Sequence, residues 1–120
     1  MEKNITVRLT ARLFAEEKCY GPGVEQLLKA VEKHRSLRAA AASMEMAYSK
    51  AWRIIRTAEG VFGCKMLSST IGGQHGGGAV LTPEAERLLA AYRAYEADVT
   101  AYARGKFEDS FGFYRELDKE

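Results

Sequence analysis

Between Ser69 and Gly78, five of ten residues are glycine. A helix does not survive that density, because glycine gives up more backbone freedom on folding than any other residue. Helical periodicity is strong on both sides of the tract, so the tract has to turn the chain between two extended segments. Lys65 to Ser68 and Ala79 to Leu81 are the short apolar segments that flank it. The reading is a hairpin with a flexible tip, and Gly73, Gln74, His75 and Gly76 form that tip. A phosphate-binding loop is disfavoured. That motif sets its glycines between a strand and a helix and follows them with Lys and Ser or Thr, whereas Ala79-Val80 follows here.

Downstream, Thr82 is an N-cap, Pro83 takes the first helical position, and Glu84 and Glu86 lie in the first turn, which marks a helix start. Leu88, Tyr92, Tyr95, Val99 and Tyr102 follow at spacings of 4, 3, 4 and 3. This 3.5-residue period pairs one helix with another, so these five residues are read as the seam of a homodimer in preference to a base-stacking surface. Gly105 is expected to end the long helix, and Phe107, Phe111, Tyr114 and Leu117 outline a short amphipathic tail.

Upstream, Ile5, Val7, Leu9, Ala11 and Leu13 alternate with Thr6, Arg8, Thr10 and Arg12, the period of a half-buried first strand. Gly21-Pro22-Gly23 breaks the chain, and Val24, Leu27, Leu28 and Val31 make the stripe of a helix ending near His34. Ser36 caps a short helix whose inner face is Leu37, Ala40, Ala41 and Met44. A third helix carries Ala51, Ile54, Ile55, Ala58 and Phe62 on its inner stripe. At roughly 100° per residue, Ser49, Arg53, Arg56 and Gly60 fall on its outer face with Lys50 at the flank. Trp52 reads as a packing bridge between this helix and a neighbouring strand. Two helices joined by a few residues, the second with a small, basic outer face, have the arrangement of a helix-turn-helix.

Charge supports that arrangement. From His34 to Leu81 there are six basic residues, Arg35, Arg38, Lys50, Arg53, Arg56 and Lys65, against two acidic ones, Glu45 and Glu59, in a chain whose net charge is only +2. A clustered basic stretch in a nearly neutral protein is the footprint of a polyanion binder, although charge alone fits a solvated face equally well. With 120 residues, 47% hydrophobic and 28% charged, the chain reads as one folded domain with no membrane span or signal peptide, and a cytoplasmic location is expected. Cys19 and Cys64 read as reduced thiols. His34 and His75 lack a partner at metal spacing, and Ser36, Ser43, Ser49 and Ser68 lack the glycines of a nucleophile elbow. No catalytic residue, metal or cofactor is expected, and the protein is read as a non-enzyme.

Taken together, Gly21-Pro22-Gly23 with Leu27-Leu28, Ser36-Leu37 with Ala39-Ala40-Ala41, Met46 through Trp52, Gly72 through Thr82 and Leu88-Leu89 resemble the N-terminal DNA-binding domain of ModE-type molybdate-responsive regulators, relatives of the LysR-type winged helices. The resemblance covers roughly residues 5 to 104. The family opens its recognition helix with Ser-Tyr-Lys, where this chain has Ala47-Tyr48-Ser49 followed by Lys50. The fold expected is α+β, mainly α: a winged helix-turn-helix with an N-terminal strand, the glycine-rich wing and a long C-terminal dimerisation helix. Residues 1–104 would form the DNA-binding domain and 105–120 a short tail. The resemblance implies a homodimer on a palindromic duplex operator, regulating genes of molybdenum uptake or cofactor metabolism. Arg35, Ser36, Arg38, Tyr48, Ser49, Lys50, Arg53 and Arg56 would contact DNA together with the wing tip. The molybdate-binding half of the family is not expected here, so a separate protein would sense the effector. The competing reading is a dimeric interaction adaptor that keeps the fold without binding DNA.

Overall fold

The first of the described residues form an extended arm. The computed structural model describes residues 4–70 and 78–117, and residues 4–12 are extended without belonging to a ladder. Strand β1 is only Leu13–Phe14, pairing antiparallel with β2, Lys18–Tyr20. The strand expected over residues 5–13 is therefore corrected to this short hairpin preceded by an arm. The reason lies in what answers its backbone. Ala11 N–H donates to Glu96 Oε2 at 2.9 Å, Tyr92 Oη–H donates to Ala11 O at 2.7 Å, Arg104 Nε–H donates to Val7 O at 3.4 Å, and Ile5 N–H donates to Tyr114 Oη at 3.4 Å. Side chains of the last helices take the place of a neighbouring strand, which satisfies the arm's polar groups without a sheet.

Helix α1, Pro22–His34, buries Val24, Leu27, Leu28 and Val31. Its end is set by Arg35, whose backbone turns left-handed at φ 60 while its N–H donates to Val31 O. Helix α2, Leu37–Ser43, starts at Ser36, whose Oγ accepts the Ala39 N–H at 2.9 Å. Leu37, Ala40 and Ala41 are its buried face, and the two alanines let α1 and α2 approach closely. Helix α3, Tyr48–Phe62, seats Ala51, Ile55 and Ala58 in the same core.

The wing is a hairpin of β3, Leu67–Thr70, and β4, Gly78–Leu81, in the register Leu67↔Leu81 through Thr70↔Gly78. Its first strand lies two residues later than the apolar segment at Lys65–Ser68 suggested. Met66, fully buried, is drawn into the core ahead of the ladder. Gly78 is required where it stands, since a Cβ there would collide with Thr70 Oγ1 and come within 3.0 Å of Arg35 O. The tip residues Gly73, Gln74, His75 and Gly76 lie outside the described residues.

Helix α4, Pro83–Phe111, starts as expected: Thr82 Oγ1 accepts the Ala85 N–H at 3.1 Å and donates to Lys65 O at 2.6 Å, so one side chain caps the helix and closes the base of the wing. It does not stop at Gly105. A single glycine among Ala103, Arg104, Lys106 and Phe107 costs about 1 kcal/mol relative to alanine, too little to break a helix with good formers on both sides. Phe107 and Phe111 thus belong to α4, where their rings stack at 5.3 Å, and only Tyr114–Leu117 forms a separate turn, α5. The long helix gives the molecule an extent of 67 Å in its longest dimension.

Tyr20 sits at the junction of β2, α3 and α4, against Phe62 at 6.1 Å and Tyr92 at 5.1 Å between ring centroids. Among the described residues its buried hydroxyl has no hydrogen-bond partner. Tyr20→Phe removes a desolvated, unsatisfied group and is expected to stabilise the fold by about 1 kcal/mol. Burial first, then the charges of Glu25 and Tyr92, push the Tyr20 hydroxyl up to about 12, and Tyr92 is raised to about 12 by burial and by Glu96. Because both ionise later in the folded than in the unfolded chain, their share of stability is intact below pH 10 and is lost as pH climbs from 10 towards 12. Thermal melts at neutral pH and across this alkaline window check both statements: Tyr20→Phe should melt higher and lose less on alkalinisation.

Candidate nucleic-acid interface

Helix α3 is preceded at its N-cap by Ala47, which offers no side-chain cap, and it carries no acidic residue in its first turn. The positive end of its dipole is therefore left unneutralised by the chain itself. Ser49, Lys50, Arg53 and Arg56 are all exposed along its outer face, as their spacing implied. From α2, Arg38 reaches across so that its guanidinium lies 4.1 Å above the Tyr48 ring. Tyr48 meets Trp52 edge-on at 6.4 Å, and the Arg56 guanidinium lies 5.2 Å from the Trp52 ring. The result is a row Arg38–Tyr48–Trp52–Arg56 that runs from α2 along α3, with a cation at each end. Each cation–π contact at such a site contributes about 0.5–1 kcal/mol and limits where the guanidinium can point.

Spacing alone contains three of the four members of this row, since Tyr48, Trp52 and Arg56 are four residues apart. The Arg38 contact depends on the angle between two helices and leaves no local sequence signal. Trp52 is half-buried and packs against the core.

Ser36, Arg38, Tyr48 and Trp52 line a cleft of ≈ 460 Å³ closed on its far side by Ser69 and Gly78 of the wing. Helix-turn-helix and wing thus share one concave surface. Ser36 is already engaged as the α2 cap, so its hydroxyl oxygen faces the helix it starts. Arg35 presents an exposed side chain while its carbonyl accepts the Ala79 N–H at 2.9 Å, which ties the end of α1 to the wing. Among the described residues, the ion pairs are Arg93–Glu25 and Arg115–Glu108, and neither uses a cation of this surface. Glu59, one of two acidic residues of the segment, accepts the Met66 N–H at 2.9 Å and thereby fixes the turn from α3 into the wing. No cluster of three His, Cys, Asp or Glu suited to a metal occurs among the described residues, and no helix there is long and apolar enough to cross a membrane.

Residues 26–86, from within α1 to the first turn of α4, match the family model described as bacterial regulatory helix-turn-helix protein, lysR family. The chain belongs to this family. The fold is accordingly the mainly helical winged helix-turn-helix of lysR-type regulators, a DNA-binding class. Its curated relatives include the molybdenum-pterin-binding protein MopB of Rhodobacter capsulatus, 39% identical over 70% of this chain and 31% of the relative. The transcriptional regulator ModE of Haemophilus influenzae is 32% identical over 77% of this chain and 34% of the relative. The molybdenum transport protein ModE of Azotobacter vinelandii is 34% identical over 61% of this chain and 27% of the relative. The matched region thus spans about a third of the length of these relatives.

The seam residues are divided by the structure. Tyr95 and Tyr102 are 57% and 71% exposed and Val99 38%, on one side of α4. Leu88 is half-buried at the edge of the core. Tyr92 is turned into the core, with its hydroxyl against Ala11 O and Glu96 Oε2.

Proposed function

We propose that this protein binds duplex DNA as a homodimer and regulates transcription of genes for molybdenum uptake or molybdenum-cofactor metabolism. The observation that carries the reading is the exposed face Ser49, Lys50, Arg53 and Arg56 of α3, flanked by Arg38 and free of ion pairs among the described residues, on a lysR-type helix-turn-helix. A surface of cations held out into solvent, next to an uncapped helix start, suits phosphate contacts and base-edge hydrogen bonds in a major groove. The molybdenum assignment rests on the names of the ModE and Mop relatives.

Tyr95, Val99 and Tyr102 supply the proposed dimer seam. They continue into an apolar hollow of ≈ 430 Å³ lined by Leu13, Leu88, Ala91 and Tyr95, a receptor for side chains of a second copy. An oxyanion effector finds no seat at the start of α4, where Pro83 lacks an N–H and Glu84 and Glu86 repel it.

Arg53 and Arg35 should separate in their roles. An outward arginine in the second turn of a recognition helix can donate two hydrogen bonds to guanine, worth about 1–3 kcal/mol of discrimination. Arg35, beyond the end of α1 and beside the wing, contacts phosphate. Selection of bound fragments from random duplex DNA, repeated with each alanine variant, tests the assignment. Arg53→Ala should flatten the selected motif, and Arg35→Ala should keep the motif while weakening every sequence alike. Equal loss of specific and non-specific binding in both variants would place the reading face elsewhere.

A further inference from the structure

The apolar hollow beside the proposed seam is lined by Tyr20 and Tyr92 as well as by Leu13, Leu88, Ala91 and Tyr95. It encloses ≈ 430 Å³, within the range of roughly 300–1,000 Å³ typical of small-molecule sites. No charged side chain lines it. Its tyrosine rings and aliphatic side chains make a surface suited to a flat, apolar body.

The hydroxyls of this lining differ in what they already do. Tyr92 Oη–H donates to Ala11 O at 2.7 Å and lies 3.2 Å from Glu96 Oε2, so it is engaged within the fold. Tyr95 is exposed to water. Tyr20 is 1% exposed, and its buried hydroxyl has no partner among the described residues. Its packing is done by the ring, edge-on to Phe62 and tilted against Tyr92, so phenylalanine would serve the fold as well. What tyrosine adds is an enclosed donor, kept protonated near neutral pH because burial pushes its pKa up to about 12. A hydrocarbon side chain from a second copy would fill the hollow without answering that donor.

We propose that the hollow binds a small, uncharged aromatic molecule whose carbonyl or ring nitrogen accepts a hydrogen bond from the Tyr20 hydroxyl. The apolar lining takes the ring, and the acceptor satisfies the one donor that the fold leaves unanswered there. A carboxylate would enter without a counter-charge on any wall, and its desolvation is not offset by a single hydrogen bond. Because Tyr95 belongs both to the hollow and to the proposed seam, the bound molecule competes with a second copy of the chain. That consequence rests on the dimer reading, whereas the site itself does not.

The test titrates the whole chain by ligand-detected NMR with compounds of similar shape: acetophenone, which carries an acceptor, ethylbenzene, which has none, and benzoate, which is charged. Acetophenone should bind saturably and ethylbenzene about three- to tenfold more weakly, the effect of losing one hydrogen bond to a buried donor. Benzoate should bind about tenfold more weakly or worse. Tyr20→Phe should melt above the wild type yet bind acetophenone no better than ethylbenzene; a tyrosine with a purely structural role would leave the preference in place. Ala91→Trp, at an exposed position on the wall, should fill the hollow and abolish binding of both compounds without lowering the melting temperature. Equal binding of acetophenone and ethylbenzene by the wild type, or a preference that survives Tyr20→Phe, would overturn the site. In sedimentation, saturating acetophenone should shift the wild-type dimer towards monomer. A dimer that keeps its mass would overturn the competition, and a monomer without any compound would overturn the dimer reading while the NMR titrations still decide the site.

Discussion

Tyr95→Glu together with Val99→Glu should convert the proposed dimer to a monomer and lower its affinity for a two-half-site palindrome by about 10²- to 10⁴-fold, the contribution of linking two binding events. Both side chains are exposed on α4, 57% and 38%, so the protomer does not need them to fold, and its core residues Leu89 and Tyr92 are untouched. Left uncovered, the stripe of Tyr95, Val99 and Tyr102, with exposed Leu13 of β1 near Tyr95, would present an apolar face to water, which soluble monomers seldom do. In a pair related by a two-fold axis each substitution occurs twice, so four carboxylates enter one apolar seam. Binding to a single half-site should hardly change. Sedimentation velocity gives the mass and anisotropy on one- and two-half-site duplexes gives the affinities. A palindrome with half-site centres roughly 34 Å apart should be the preferred site of the wild-type dimer. An unchanged dimer mass in the double variant would move the interface off α4.

Much of this architecture is legible in local chemistry. The stripe Val24, Leu27, Leu28 and Val31 fixes the inner face of α1, Ser36 and Thr82 mark the starts of α2 and α4 with side-chain caps, and the glycine tract implies the wing. Where the reading failed, the deciding contact was remote in sequence. The period-two pattern of Ile5 to Leu13 is real, but periodicity reports only that alternate side chains face different surroundings. It does not say that the neighbour is a helix, and Glu96, Tyr92 and Arg104 lie some ninety residues away. Gly105 failed for a different reason. A glycine ends a helix when the next step needs a left-handed residue, as Gly63 supplies at φ 70 after α3, and nothing after Gly105 asks for that turn. The outer face of α3 was visible from residue spacing, and the Arg38–Tyr48 contact was not, because only the packing of α2 on α3 brings the two together.

The central claim is that this surface neutralises DNA phosphates. Each phosphate paired with a lysine or arginine releases condensed counterions, so affinity must fall as salt rises, with a slope set by the number of contacts. Arg35, Arg38, Lys50, Arg53, Arg56 and Lys65 are all exposed. If several of them in each protomer engage, the dimer should lose on the order of a hundredfold or more in affinity between about 50 and 200 mM salt. Arg38 and Arg56 are already oriented by Tyr48 and Trp52, so these contacts lose little side-chain freedom on binding. An adaptor that keeps the fold and the seam but works through protein contacts predicts no duplex binding in this range. The most direct test is therefore the anisotropy of a labelled duplex titrated with wild-type protein at a series of salt concentrations. A steep linear fall of log affinity with log salt is the predicted result, and an affinity that stays flat, or no binding at the lowest salt, would contradict it.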